Sequence, residues 1–517
     1  MRLLISDNKS ARQKTDIPYL NMDKNKKKIA RTFVLIGSVM IGILLIISGC
    51  TNNAQEKKSN DPFCKDCNVI FINIELLRAD YVDLISTEHG NNTPNIDRFF
   101  KNGIIFEDVT ASAGETGISN IATLTNTDSY FVNQIVSIFY KSLNQLEQGN
   151  KTGDHSLVSK FTKYLTIAQI LQANGYRTIC INDGAFSGKY TFMDAGCEKY
   201  YDVTNDPSYN AGITTTVKNI MLLENLKGKE QNKFFLLYHS DALHALPYKY
   251  PLAREHDTNP LIEYIHPENS DYYETRFHIA KNGTILNKGE LRAELFNTDW
   301  MDNTTFNTYH QLAHTVYAQQ VRYVDTELGK IFSELEQSGM LKNSIVVLYA
   351  NHGDGLYDNN IPNHGVTYQS CVHVPLLIRL PSSTRQERIT TPVALIDLAP
   401  TIYQMTRVEK RNISDLSPDA ATARAGLLPA ILNGTYDREY IFGMNNGEFV
   451  RYQDMKLHLL TDNQKELYNI TSDPHEEHNI AAQYPEIVKA LNDIISAHDI
   501  QVQKEFNDRF ENRTIGR

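Results

Sequence analysis

Several things are scarce in this chain of 517 residues. Positive charge is not in excess: 51 Lys and Arg stand against 61 Asp and Glu, for a net charge of −10. Nothing is available to neutralise a phosphate backbone, and composition therefore excludes nucleic acid as a partner. The apolar run Phe33–Ile47, FVLIGSVMIGILLII, covers about 15 residues where a membrane span needs about 20. Cysteine is sparse, six in all. Cys64 and Cys67 form a lone C-x-x-C without the partners a zinc or redox centre requires, and outside the cytoplasm they read as a small disulfide. Cys180 lies in an apolar run and reads as core. There is no internal repeat, which excludes a repeat architecture.

What remains is a globular composition, 41% hydrophobic and 22% charged, long enough for one large α/β domain and a smaller one. The first fifty residues differ from the rest. Basic residues from Lys24 to Arg31 precede the apolar run, and Ile47-Ser48-Gly49-Cys50 follows it. Residues 1–49 read as an export signal with Met22 as an alternative start. The box ending at Cys50 resembles a bacterial lipoprotein cleavage site, which makes Cys50 the lipidated first residue of a mature protein anchored on the outer face of the cell membrane. An uncleaved anchor is the alternative, and both put the rest of the chain outside the cytoplasm. Residues 50–67 are polar and read as a flexible tether.

From Asn68 onward helices and strands alternate. NVIFINIE (Asn68–Glu75) is a buried-strand run that ends in an acid. In TPNIDRFFKNG, Thr93 reads as a helix cap, Pro94 as the first helical residue and Gly103 as the stop. TIAQILQANGYRTICIN reads as helix then strand, KFFLLYHS as a strand, and Ala313–Ser338 as a helix leading into SIVVLYA. This alternation predicts an α/β domain over 68–405, with a mostly parallel sheet covered on both faces. Residues 254–312 lose the pattern and read as an insertion over one end of the sheet. Residues 406–517 read as a subdomain of short antiparallel strands and a last helix near Tyr484–His498.

Polar residues collect where the predicted strands end, which is where open α/β sheets bind ligands. Glu75 ends the first strand. Thr116 lies where a Gly-containing loop turns into a helix, in the positive field of its N-terminus. His244 follows FFLLY, and Asn351, His352 and His364 follow VVLY. A carboxylate on a buried strand end is costly unless something pairs with it, which points to a ligand. His239, His314 and His373 read as packing or surface residues.

In this order the segments NVIFINIELLRADYVDL, NTPNIDRFFKNGIIFEDVTA, TIAQILQANGYRT, FFLLYHSDALHALPY, YVDTELGKIFSELEQSGMLKNSIVVLYANHGDG, HVPLLIRLP, IDLAPTIYQM and ELYNITSDPHEEHNIA resemble the sulfatase and alkaline-phosphatase-like superfamily. The resemblance implies that fold, a divalent metal and a nucleophile at a helix start that transfers a phosphoryl or sulfuryl group. Glu75, Asn351 and His352 fall on metal-ligand positions together with the Thr116 hydroxyl. Thr116 falls on the nucleophile position, and His244 and His364 on positions that hold the transferred group. A carboxylate with imidazole favours zinc or manganese over magnesium or calcium.

Three departures from the sulfatase pattern matter. The residue that matures to formylglycine is Thr116, which cannot follow that route, whereas threonine is the nucleophile of lipoteichoic-acid synthases and phosphoethanolamine transferases. The Arg that follows is Asn120. Only Gly188 and Lys189 of a G-K-W-H motif are present. In addition, Asn351 replaces an Asp. The reading is a lipid-anchored metallo-enzyme acting on phosphate esters of an envelope lipid or glycan. A degenerate member that binds such a ligand, and a true sulfuric ester hydrolase, are the alternatives.

Overall fold

The computed structural model describes residues 62–137, 165–183, 193–203, 213–224, 226, 233–243, 302–381, 383–384, 386–408 and 426–510. The export signal, Cys50, His244, Gly188, Lys189 and residues 254–301 of the expected 254–312 insertion lie outside them. The described residues belong to one unit, Ser59–Arg517. Among them no helix is long and apolar enough to cross a membrane.

Ten strands belong to the α/β region: β1 (Asn68–Ile74), β2 (Ile104–Phe106), β3 (Val109–Thr110), β4 (Arg177–Asn182), β5 (Lys199–Asp202), β6 (Phe234–Ser240), β7 (Ser344–Tyr349), β8 (Leu376–Arg379), β9 (Glu387–Ile389) and β10 (Val393–Ala394). Eight form one sheet in the order β5-β4-β6-β1-β7-β8-β2-β9, and β10 pairs with β3 separately. β5, β4, β6, β1 and β7 are mutually parallel, whereas β8 runs antiparallel to both β7 and β2. The apolar runs are explained by this order. β6 and β7 are buried at every residue, so neither face of the sheet centre meets water.

The helices used below are α1 (Pro94–Phe100), α2 (Thr116–Thr125), α3 (Ile167–Ala173), α4 (Asn303–Gln337), α5 (Leu398–Met405) and α6 (Pro485–Phe510). Two expected helix starts change. Thr93 does not cap α1; its hydroxyl accepts from Asp83 N–H at 2.8 Å. The α1 N-terminus is met instead by Asp325 of α4, which accepts from Ile96 N–H at 2.8 Å and Asn95 N–H at 3.1 Å, a helix end satisfied from a neighbour. The long helix also begins at Asn303, ten residues before the expected Ala313. Its first stretch, NTTFNTYHQL, has too few apolar positions to show helical periodicity.

The C-terminal strands β11 (Ile441–Met444), β12 (Gly447–Tyr452), β13 (Met455–Leu460) and β14 (Lys465–Asn469) form an antiparallel sheet. α6 covers it through Leu491 and Ile495, which pack with Val450, Leu457 and Leu467. The helix runs on past the expected His498 to Phe510, and its far end, Val502 and Phe506, joins Ile118, Ile121 and Phe131 in a second apolar cluster beside α2. Cys64 pairs with Cys67 as expected. Cys180 lies in the core as expected, and there it is disulfide-bonded to Cys197.

Candidate active site

Five adjacent parallel strands bring their carboxyl ends to one edge, and Glu75 follows β1 there while Asn351 and His352 follow β7. Glu75 follows β1 directly, and its N–H is held by the Ser240 carbonyl of β6 at 2.9 Å. Leu76 behind it is left-handed, φ 68°, a costly conformation for a branched side chain. Tyr317 of α4 clamps this turn: its hydroxyl donates to the Leu76 carbonyl at 2.6 Å and accepts from Arg78 N–H at 2.9 Å.

α2 delivers Thr116. The cap of this helix is Glu115, which accepts from Ile118 N–H at 2.9 Å. Thr116 is thus the first helical residue and its hydroxyl is not spent on capping. Its Oγ donates to Glu75 Oε1 and lies 3.2 Å from His352 Nε2. The preceding turn can approach because residue 114 is glycine: a Cβ there would sit 2.0 Å from the Val366 carbonyl oxygen. The Gly114 carbonyl in turn accepts from Gly365 N–H at 2.7 Å, which ties the Thr116 turn to the loop carrying His364.

His352 is fully buried. Its Nδ1 faces the Gly353 carbonyl at 2.9 Å, which puts the proton on Nδ1 and turns the Nε2 lone pair toward Thr116 and Glu75. His364 stacks on His352 with ring centroids 4.9 Å apart. The structure therefore brings Glu75, Thr116, Asn351, His352 and His364 together, while His244 falls outside the described residues.

Three residues were missed. His239, expected as packing, donates from Nε2 to Glu75 Oε2 at 2.9 Å. Burial alone would weaken its hold on a proton, but the Glu75 carboxylate overrides this and raises it. Asn73 sits inside β1 with its amide between four elements. Its Nδ2 donates to Asn120 Oδ1 and His239 Nδ1, each at 2.9 Å, and its Oδ1 accepts from Asn351 N–H at 3.2 Å. Asp183, just past β4, accepts from Ser240 Oγ at 2.9 Å and Asp241 N–H at 2.7 Å. Burial, then the charge of Asp241, pushes its carboxyl up to about 7. The signal for Asn73 was a polar residue inside an apolar run, and for His239 a ring next to the end of another.

The donor set fits a divalent cation. The Asn351 side chain is buried with no hydrogen-bond partner on either Oδ1 or Nδ2, a cost that proteins rarely leave unrelieved. Ser119 Oγ pins the Asn351 carbonyl at 2.5 Å, so the orphaned amide is held in place beside His352. A carboxylate, an imidazole, a hydroxyl and an amide oxygen make a mixed O/N set for one metal. The other acids of the loop already have partners. Asp354 accepts from Gly355 N–H at 3.0 Å and faces His364 Nδ1 at 3.7 Å, and Asp358 is held by Arg78 at 2.7 Å.

Fold and site define a hydrolase with a mixed α/β architecture of the alkaline-phosphatase-like kind. The sulfatase family model matches residues 67–408, and the chain belongs to the sulfatase family, whose enzymes are metal-dependent hydrolases. It is 24% identical to an N-acetylglucosamine-6-O-sulfatase of Bacteroides thetaiotaomicron, with 91% of each chain covered. It is also 24% identical to arylsulfatase K of Gallus gallus over 33% of this chain and 34% of that one. Among solved structures it resembles BT4656 in complex with its substrate D-glucosamine-2-N,6-O-disulfate, with a TM-score of 0.58, 18% identity, and 85% of this chain and 98% of that one covered. A phosphonate monoester hydrolase from Silicibacter pomeroyi is similar at a TM-score of 0.55 and 16% identity, covering 84% and 95%.

Proposed function

We propose that this hydrolase cleaves or transfers phosphate esters of an envelope lipid or glycan through Thr116, outside the cytoplasm. The observation that carries the reading is the Thr116 hydroxyl, freed from capping by Glu115 and set between Glu75 and His352. A divalent cation held by Glu75, Asn351, His352 and the Thr116 oxygen would supply the positive charge that acidifies the hydroxyl and polarises the ester.

The residues do the rest. The Thr116 proton leaves along the hydrogen bond it already makes to Glu75, and Oγ forms a bond to phosphorus as the ester oxygen departs. A protonated His364 would give its proton to that leaving oxygen and recover one from the water or alcohol of the second step, while Glu75 gives its proton back to Thr116, and the α2 N-terminus would stabilise the anionic group. Water or an acceptor alcohol then cleaves the phospho-threonine and restores the hydroxyl. His239 keeps the Glu75 carboxylate oriented, and Asn73 keeps His239 oriented. The relative and neighbour that act on sulfated sugars support a glycan ester, and the phosphonate monoester hydrolase supports phosphorus at the reacting centre.

The test is turnover of 4-nitrophenyl phosphate mono- and diesters, phenylphosphonate and sulfate by purified protein supplied with manganese or zinc. We expect the phosphorus esters to be preferred, and Thr116→Ala to cost roughly 10³-fold or more. A quenched reaction should carry a phosphoryl group on the Thr116 peptide. Turnover of sulfate alone, or an unaffected Thr116→Ala, would overturn the assignment. The second reading, a ligand-binding member without turnover, is favoured by the neutral Asn351. Purified protein that takes up no metal and turns over none of these esters would establish it.

A further inference from the structure

His310 and His314 stand one turn apart on α4 and so share one face of the helix. Both place Nε2 on a single carboxylate oxygen, Asp358 Oδ1, at 2.8 and 3.1 Å. The three ligand atoms lie within 4.8 Å of one another. The other carboxylate oxygen is taken: Asp358 Oδ2 accepts from Arg78 Nη1 at 2.7 Å. Arg78 is itself fixed, by Asp80 at 2.6 Å and by the Asp354 carbonyl at 3.2 Å. Asp358 is thus oriented from behind and presents one oxygen toward the two imidazoles.

The imidazole of His314 is supported in the same way. Its Nδ1 meets the Tyr81 hydroxyl at 2.6 Å. A phenol either donates or accepts, so this contact survives when Nε2 gives up its proton and Nδ1 takes one. Such an outer contact orients the imidazoles that bind metals. The loop also holds Asp358 at a conformational cost, because Leu356 and Tyr357 before it are left-handed, φ 51° and 70°, a region that bulky side chains avoid.

We infer that His310, His314 and Asp358 form a second site, separate from Glu75 and His352, for a transition-metal dication. Two imidazoles and one carboxylate match zinc, and the nitrogen donors exclude a calcium or magnesium preference. His310, with its side chain 37% exposed, leaves the ion reachable from solvent and free to keep water in a remaining position. An ion there joins α4 to the loop that also carries His352 and His364, on either side of Asp358. Arg78 lies between the two: a Cβ at Gly353 would sit 3.1 Å from its Cγ.

The experiment is zinc uptake by the full-length protein after chelation, with wild type, His310→Gln and Glu75→Gln compared by metal analysis at equilibrium. We expect His310→Gln to bind one zinc equivalent fewer than wild type, and Glu75→Gln to keep the equivalent that His310→Gln loses. Equal uptake by wild type and His310→Gln would overturn the site and leave the cluster as an ion pair of Asp358 with Arg78. The measurement that needs no variant is anomalous scattering from wild-type crystals soaked in zinc. A peak bounded by His310, His314 and Asp358 supports the site, and its absence at saturating zinc overturns it.

Discussion

Asn351 sets the charge of the candidate centre. An amide there leaves Glu75 as the single carboxylate on the Thr116 hydroxyl, and its own two polar atoms are buried without partners. A carboxylate at 351 would add a full negative charge next to the cation, a Coulomb gain of several kcal/mol at an effective dielectric of about 20. Desolvating that carboxylate takes back part of the gain. A net gain of about 1.4 kcal/mol is tenfold in affinity, so Asn351→Asp should tighten manganese or zinc binding by at least about tenfold in calorimetric titration. The same change puts two carboxylates together when no metal is present. The variant should therefore melt below wild type in a chelator and above it in metal; a variant that melts alike in both would show that the 351 side chain does not face the cation.

At the scale of elements, the C-terminal sheet is locked to the site loop by one buried charge. Glu476, in the segment DPHEEHNIA, meets Lys456 at 3.0 Å and His458 at 2.7 Å, and accepts from Gln369 N–H at 2.6 Å. Lys456 also donates to the Thr367 carbonyl at 2.7 Å, three residues past His364. Burial would raise the Glu476 carboxyl, but Lys456 and His458 hold it down at about 2, below its ordinary 4.5. A depressed carboxyl contributes stability that is present above about 4.5 and is lost as pH falls toward about 2. Glu476→Gln leaves Lys456 buried without its anion and weakens the acceptor that faces His458 at 2.7 Å, and should cost about 3–5 kcal/mol in denaturant unfolding at neutral pH. The variant should also lose the part of the acid transition that this carboxyl contributes; an unchanged midpoint and an unchanged acid limb would refute the lock. The tail block was legible as a pattern, yet its reason is packing and charge rather than chemistry. By contrast, Glu75 and His352 could be read because polar groups at the ends of apolar runs are costly to bury. Asn73 and His239 are polar residues in or at the end of such runs too, but only the pairing of β1 with β6 makes them neighbours and so reveals their part in the site.

For the whole molecule, the parallel sheet could be anticipated from alternating elements, while its order and the crosslink at its edge could not. Cys180 lies in β4 and Cys197 just before β5, the edge strand, 17 positions apart in sequence. Asp183 follows β4 by one residue and is bonded to the end of β6, so the crosslinked edge abuts the candidate site. Disulfides persist in oxidising compartments, which supports the proposed location outside the cytoplasm. A loop of this length constrains the unfolded chain by roughly 3 kcal/mol in the chain-entropy account, whereas the short Cys64–Cys67 loop constrains it far less. Dithiothreitol should therefore lower the melting temperature of wild type. A Cys180→Ser, Cys197→Ser double variant should start from that lower value and respond little to reductant. Cys67→Ser should stay close to wild type until reductant is added. Wild type that melts identically with and without dithiothreitol would mean that the β4–β5 edge is held by the sheet alone and that the pair carries no information about compartment.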